Sequence, residues 1–329
     1  MEAQTGAAVR DPLRVMLATR LDDHDTIRLK AGFPTVDFVE AYEDEDVTRQ
    51  IPSCEAIFTG RIATETLANA PKLRWVHARS AGVNGYPLRE LADRGILLTT
   101  SSGAHGTPIA ENILAMMLAF ATRLHLLRDA QNQCHWEKGE IGDHKFELEG
   151  QTLLVIGLGG IGAALARKAS ALRLNVIGMR RSGGPAPEWV DELIPSAKLM
   201  EALPRADHIA LCLPLTPETT AFLTAEHFGA MKPSAYVYNV GRGKSIEREA
   251  LLRALNDGWI AGAGLDVTDP EPLAPDDPLW SFPNVILTQH TSGGSPKNSN
   301  RVTDIFMDNL VRYMNREPLL NVVDLRGEY

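Results

Sequence analysis

Short apolar runs separated by polar, helix-compatible stretches set the rhythm of this chain. In the first hundred residues LRVMLAT (13–19), EAIFTG, LRWVHARS and ILLTTS read as four short strands. Their near-continuous apolar character predicts burial on both faces of a sheet. TETLANAP and YPLRELADRG between them suit helices, and strands alternating with helices imply a parallel sheet. From Leu148 the rhythm restarts more regularly, with TLLVIG, NVIGM, HIALCLPL, AYVYNV, AGAGLDV and VILTQH as expected strands. Between the two runs the pattern predicts a long helix, capped by Thr107, with Pro108 in its first turn and Glu111 near its start. Its apolar positions continue through Ile113, Met116, Met117, Phe120, Leu124 and Leu127. Apolar residues on more than one face suit packing between layers or subunits. After His290 a Gly/Ser/Pro/Asn-rich crossing, TSGGSPKNSN, leads to a last predicted helix over 302–315.

Length and composition narrow the class. The 329 residues suit two domains, and a hydrophobic fraction of 44% supplies an ordinary globular core. A net charge of -9 argues against a nucleic-acid partner, which would want a basic face. Asp22, Asp23 and the run 43–46 read as a solvated acidic face. Cys54, Cys134 and Cys212 are far apart, so no structural metal is expected, and their small odd number suits a reducing compartment. The start, MEAQTGAAVRDP, has no apolar signal core. The most apolar stretch, 113–127, is interrupted by Arg123 and His125, so no membrane span is expected. A cytoplasmic protein is the expectation.

Residues 153–162, LLVIGLGGIG, place Gly157, Gly159 and Gly162 between an apolar strand and an amphipathic helix. In a GxGxxG turn the first glycine permits the bend, the second lets backbone approach a pyrophosphate, and the third lets helix pack on strand. The helix N-terminus then faces the negative charge. An NAD site of this kind carries Asp or Glu about twenty residues on. Here NVIGM ends in Arg180-Arg181-Ser182, without an acid. Two guanidinium groups there suit the extra phosphate of NADP, so NADP is the expected cofactor, with NAD also admitted. Arg242, in NVGRGK, follows the strand AYVYNV at the end where α/β sheets bind ligands. Flanking glycines allow a tight loop, and its guanidinium can grip a carboxylate bidentately and touch a ketone oxygen.

Several ordered segments resemble the D-isomer-specific 2-hydroxyacid dehydrogenases, which include glyoxylate/hydroxypyruvate reductases, D-lactate dehydrogenases and phosphoglycerate dehydrogenases. They are RSAGVNGY, ELEGQTLLVIGLGGIG, CLPLTPET, NVGRGK, AGLDVTDPEPL and DDPLWSFPNVILTQHTSGG. The resemblance implies an α/β protein of two Rossmann-like, doubly wound parallel-sheet domains with the active-site cleft between them. It assigns 1–105 plus 295–329 to a discontinuous substrate domain and 106–294 to the dinucleotide domain. It implies a homodimer to which the long helix contributes. It implies that His290, paired with Glu271, gives a proton to the ketone oxygen of a small 2-keto acid while Arg242 holds the carboxylate. The backbone N–H groups of Ala81 and Gly82 resemble the second carboxylate clamp. Asp266 matches the residue near the nicotinamide, and Leu213, Pro214 and Thr219 match the adenine side. Cofactor contacts are also implied at Gly160, Ile161, Val240, Gly241, Arg242, His290 and Gly293.

The product would be the D-2-hydroxy acid, with glyoxylate and hydroxypyruvate as first candidate substrates. His77, His105, His125, His135 and His144 sit in no such pattern and read as structural or exposed. Three positions depart from the family: Gln289 replaces a common Pro, Asn84 a frequent Asp, and Arg79 is an unusual charge beside the substrate loop. Formate dehydrogenases of the superfamily carry Gln where this chain has Glu271, and formate needs no proton donor. The alternatives are a dinucleotide-sensing corepressor, which usually adds disordered tails, and the same chemistry run in the oxidative direction.

Overall fold

Residues that alternate between two apolar surfaces make buried strands here. In the strand at 152–156, Leu154 and Ile156 join one core and Leu153 and Val155 the other, so both faces of the sheet are covered. The computed structural model describes residues 12–83, 85–137, 139, 141–181 and 185–325. It divides into two units, residues 1–104 with 296–329 and residues 105–295.

The first unit runs β1 (Arg14–Leu17), α1 (Asp23–Gly32), β2 (Asp37–Glu40), α2 (Asp44–Gln50), β3 (Ala56–Thr59), α3 (Thr64–Ala68), β4 (Trp75–Ala78), α4 (Leu88–Asp93) and β5 (Leu97–Thr100). The strands form one parallel sheet in the order β2-β1-β3-β4-β5. Met16, Ile57 and Val76 pack on one face, and Val15, Leu17, Phe58 and Trp75 on the other. The last helix of the chain, Asn298–Asn315, completes that second core with Val302, Phe306 and Leu310. It starts four residues before its expected first residue. Asp25, fully buried on α1, accepts hydrogen bonds from Ser299 Oγ (2.9 Å) and Asn300 Nδ2 (3.0 Å) in that early turn. The acidic residues at 22–23 and 43–46 are largely exposed, and Asp22 also caps α1, accepting from Asp25 N at 2.7 Å.

The second unit runs α5 (Gly106–Thr122), α6 (Leu124–Asn132), β6 (Thr152–Ile156), α7 (Gly160–Ala171), β7 (Asn175–Met179), β8 (Glu192–Ile194), α8 (Leu199–Ala202), β9 (His208–Leu211), α9 (Ala225–Gly229), β10 (Tyr236–Asn239), α10 (Arg248–Asn256), β11 (Gly262–Leu265) and β12 (Val285–Leu287). Its seven strands are parallel in the order β12-β11-β10-β9-β6-β7-β8, so the order reverses between β6 and β9. The final helix is α11.

Four local readings need correction. Thr107 does not cap the long helix: α5 already starts at Gly106, and its N-cap position is His105, without a side-chain cap bond. The apolar run to Leu127 is two helices, because Arg123 adopts a left-handed φ of 57° and the axes bend by 71°. No single helix among the described residues is long and apolar enough to cross a membrane, although this bent pair passes by length and composition. Most of α5 is a core helix, with Ile113, Met117 and Phe120 buried. The expected strands omitted β2 and β8, both at sheet edges; β2 buries only Val39. Finally, β12 stops at Leu287, so His290 lies in the turn beyond it rather than on the strand.

Candidate active site

The glycine turn follows β6 at the point where the strand order reverses. Gly157 has φ +99°, and a Cβ there would lie 2.9 Å from Leu213 Cδ2 and 3.0 Å from the Cys212 carbonyl. Only glycine makes this bend without strain. A Cβ on Gly162 would collide with the Gly157 carbonyl, whereas one on Gly159 would meet nothing within 4 Å. The turn therefore has open space at its middle glycine and none at its last. That is the cradle a pyrophosphate needs above the N-terminus of α7, which begins at Gly160 with Ile161 in its first turn. Gly241 also abuts the Leu213 backbone, so Gly157, Leu213 and Gly241 converge at the ends of β6, β9 and β10. Pro214 accepts from Thr219 Oγ1 at 2.7 Å, within a Thr216 capping box that shapes the adjoining loop.

Arg180 follows β7 directly and donates from Nη2 to the Pro185 carbonyl at 2.9 Å, while its Nε is buried without a partner. Arg181 is exposed. The Glu218 carboxyl is held below its usual range by the Thr216 hydroxyl and, more weakly, by the Arg181 charge. Ser182 lies outside the described residues, as does Asn84.

Arg242 stands on a loop with no slack. A side chain on Gly243 would run into the Thr268 carbonyl. Buried Asn239 ties the loop at both ends, donating to the Arg242 carbonyl (2.9 Å) and accepting from Gly241 N (3.0 Å). The guanidinium donates from Nη1 to the Gly241 carbonyl at 2.7 Å. Val240, just before, is core.

Glu271 and His290 are brought together: Nδ1 of the imidazole lies 2.9 Å from Glu271 Oε2. The other carboxylate oxygen accepts from Thr268 N at 3.0 Å, which fixes the carboxyl plane. Both side chains are partly exposed, and beside them opens a cavity of about 530 Å³ walled by Asp266, Thr268, Trp280 and Leu287. Arg242 makes no hydrogen bond to either member of this pair among the described residues.

Residues Gln289 and His290 both take left-handed backbone, with φ 54° and 56°. Each such non-glycine residue costs on the order of 1–3 kcal/mol and persists only where its surroundings enforce it. Asp266 enforces it here. Its carbonyl accepts from His290 N at 2.5 Å. Its buried carboxylate accepts from Thr288 Oγ1 (2.6 Å), Thr291 N (3.0 Å), Ser292 N (3.1 Å) and the Ser292 hydroxyl. The matching acid of the resemblance was expected beside the nicotinamide; in this chain four donors of the His290 turn also occupy it. A φ of 54° is closed to proline, so the Gln at 289 belongs with this turn. Gly293 ends the same loop, with His105 and Ile109 just within 4 Å of the space its side chain would fill.

In the first unit, Ala81 and Gly82 follow β4 on an exposed loop braced by Ser80 Oγ, which donates to the Gly82 carbonyl at 2.6 Å. Behind it a buried network runs across β4 and β5. His77 bonds Thr99 Oγ1 through Nδ1 (2.7 Å) and Ser101 Oγ through Nε2 (3.1 Å), and Ser101 donates to the Ala78 carbonyl (3.0 Å). His77 is thus structural, while His135 and His144 are exposed. The one cluster of potential metal ligands among the described residues is Asp22, His24 and Asp25, where Asp25 is already engaged by Arg28 at 3.2 Å.

The profile of the D-isomer specific 2-hydroxyacid dehydrogenase NAD-binding domain matches residues 114–292. A glyoxylate reductase of Korarchaeum cryptofilum is 32% identical over 289 residues, spanning 84% of this chain and 85% of the relative. A D-isomer specific 2-hydroxyacid dehydrogenase family protein from Aeromonas salmonicida superposes with a TM-score of 0.81 at 32% identity, covering 95% and 99% of the two chains. The NADPH-dependent glyoxylate/hydroxypyruvate reductase of Sinorhizobium meliloti, solved with NADP and sulfate, gives 0.79 at 25% identity, covering 96% and 100%.

Proposed function

Since the chain belongs to the D-isomer specific 2-hydroxyacid dehydrogenase family and is a nicotinamide-dinucleotide-dependent oxidoreductase of 2-keto acids, we propose that it reduces glyoxylate and hydroxypyruvate, with NADPH preferred. The observation that carries the reading is the Glu271–His290 pair at 2.9 Å on a partly exposed turn. Glu271 engages Nδ1, leaving Nε2 as the nitrogen that faces substrate and gives its proton to the carbonyl oxygen. Arg242, rigid between two close backbone approaches, grips the carboxylate and orients the carbonyl. The turn at Gly157, Gly159 and Gly162 would hold the dinucleotide, whose bound nicotinamide supplies the hydride. As the carbonyl oxygen gains negative charge it takes the proton from His290, which is reprotonated from solvent.

The preference for NADPH rests on Arg180 and Arg181 at the end of β7, where an acid would select NAD. A homodimer formed through the α5–α6 bend accounts for the exposed Leu118 and Leu124 there. The first test is initial rates of NADPH and NADH oxidation with glyoxylate, hydroxypyruvate, pyruvate and phenylpyruvate. Faster oxidation of NADPH with the first two supports the reading. Dinucleotide binding without turnover of any keto acid would refute it.

A further inference from the structure

Glu271 lies on a stretch of chain with little burial to hold it. Between the end of β11 at Leu265 and the short turn Pro278–Trp280, residues 270–272 and 274–276 are exposed. Its backbone and side-chain bonds are mostly its own. Thr268 N donates to the Glu271 carboxylate at 3.0 Å, Thr268 Oγ1 to the Pro270 carbonyl at 2.8 Å, and Asp277 N to the Ala274 carbonyl at 3.1 Å. The turn adds Trp280 Nε1, which donates to the same Ala274 carbonyl at 2.8 Å. These bonds shape the stretch without tying it to the sheet. A carboxylate that must stay 2.9 Å from an imidazole needs an anchor beyond its own loop.

Arg248, the first residue of α10, supplies that anchor. Its Nη1 donates to the Asp269 carbonyl at 3.2 Å, and its Nη2 donates to Oδ2 of Asp277. The two acceptors lie on either side of Glu271 in the chain. His290 apart, Arg248 is the one side chain from outside residues 266–280 that hydrogen-bonds residues 267–277, among the described residues. Asp277 is itself fixed. Its side chain is only 5% exposed, and its Oδ1 accepts at 3.0 Å from the N–H of Leu279, a residue of the second unit's core. A planar guanidinium can hold two acceptors at a set separation, and its bond to a carboxylate withdrawn from water outweighs an exposed ion pair. Helix α10 also follows the Arg242 loop, and a side chain on Gly243 of that loop would meet the Thr268 carbonyl. One guanidinium thus joins the helix behind Arg242 to the stretch that carries Glu271.

We propose that Arg248 and Asp277 are positioning residues of the proton-donor pair, clamping the stretch so that the Glu271 carboxylate stays on Nδ1 of His290. The inference rests on the keto-acid reading above and deepens it: the clamp acts on the reaction only through Glu271. Asn239 holds the Arg242 loop independently, so loss of the clamp leaves carboxylate binding in place. The cost therefore falls on kcat rather than on KM. A misplacement of about 1 Å at reacting groups costs up to roughly a hundredfold, which sets the scale.

Two variants open the clamp in different ways. Arg248→Met keeps the aliphatic stem and removes the fork. Asp277→Asn keeps the oxygen that caps Leu279 and sets an amide against the guanidinium. In steady-state reduction of hydroxypyruvate each should lower kcat about tenfold or more, with KM within about threefold of wild type. Arg248→Lys keeps the charge but cannot span both acceptors, and it should recover part of the loss. Arg253→Met, at an exposed position of the same helix, should change neither constant. Glu271→Gln supplies the decisive background: with the partner already altered, adding Arg248→Met should lower kcat by less than about threefold more. Equal losses in the two backgrounds, a loss carried by KM, or an unchanged kcat in folded Asp277→Asn overturns the proposal while leaving keto-acid reduction standing. If the wild-type protein turns over no keto acid, the reading above fails, and NMR of the histidine ring nitrogens still decides the clamp. The His290 signals, assigned by their absence from His290→Ala, should show a proton fixed on Nδ1 in the wild type and mixed tautomers in Arg248→Met and Asp277→Asn. The same tautomer in all three proteins overturns the clamp.

Discussion

Acidification should loosen this protein through two buried histidines, at a pH above the carboxylate range. His77 is fully buried in the first unit, and desolvation pushes its imidazole down to about 3. His208, fully buried in the second, is pushed down to about 4 by the same cause, offset partly by Asp207. An unfolded imidazole titrates near 6.5. Between that value and the folded one, the unfolded chain binds a proton that the folded chain refuses. Stability is therefore complete above about pH 6.5 and falls as the pH drops toward 3–4. At about 1.4 kcal/mol per pH unit, each histidine costs roughly 2 kcal/mol by pH 5.

The His77 network explains why the folded form refuses. Ser101 spends its proton on the Ala78 carbonyl, so Nε2–H donates to Ser101 and Nδ1 accepts from Thr99. Thr99 itself accepts from Trp75 Nε1 at 2.9 Å. A second ring proton would meet the Thr99 hydroxyl proton. Urea unfolding at pH 7.5, 6.0 and 5.0, followed by fluorescence, is the assay; Trp75 is the first unit's own reporter. His77→Gln keeps a donor and an acceptor but does not titrate. Its loss of stability between pH 7.5 and 5.0 should be smaller than wild type by about 2 kcal/mol. Equal losses in the two proteins would refute the argument, whatever the variant's stability at neutral pH.

Three further outcomes follow from the site. Arg180→Asp should raise KM for NADPH at least tenfold and spare NADH, read from initial rates with each cofactor. Asp266→Ala removes the acceptor of four donors in the His290 turn; it should destabilise the second unit by roughly 2–3 kcal/mol in denaturant melts and lower kcat. Gly159→Ala should leave the melting temperature unchanged and weaken dinucleotide binding in a fluorescence titration, whereas Gly162→Ala, which collides with the Gly157 carbonyl, should lower the melting temperature as well.

Buried parallel strands were the legible part of the sequence. Runs such as TLLVI and HIAL sit between two covered faces, so every position after the first is apolar and the signal is dense. Edge strands β2 and β8 lack that covering and left little to read. Composition predicted one long helix, but a single left-handed residue, Arg123, makes it two. The motifs carried the chemistry: NVGRGK, DPEP and TQH brought Arg242, Glu271 and His290 forward. What enforces their geometry was not readable. Asn239 closes the Arg242 loop through hydrogen bonds to backbone, and Asp266 gathers the His290 turn through two backbone N–H groups and two hydroxyls, contacts that no motif spacing announces.

The central claim is that His290, held by Glu271, delivers the proton in a reduction that yields the D-2-hydroxy acid. Chiral analysis of the glycerate formed from hydroxypyruvate and NADPH, run beside the rate of His290→Ala, tests it in one experiment. The account predicts D-glycerate from the wild-type protein and a kcat about a hundredfold or more lower in the variant, the scale of a lost general acid. L-glycerate, no glycerate, or a loss below tenfold in a folded variant would contradict it.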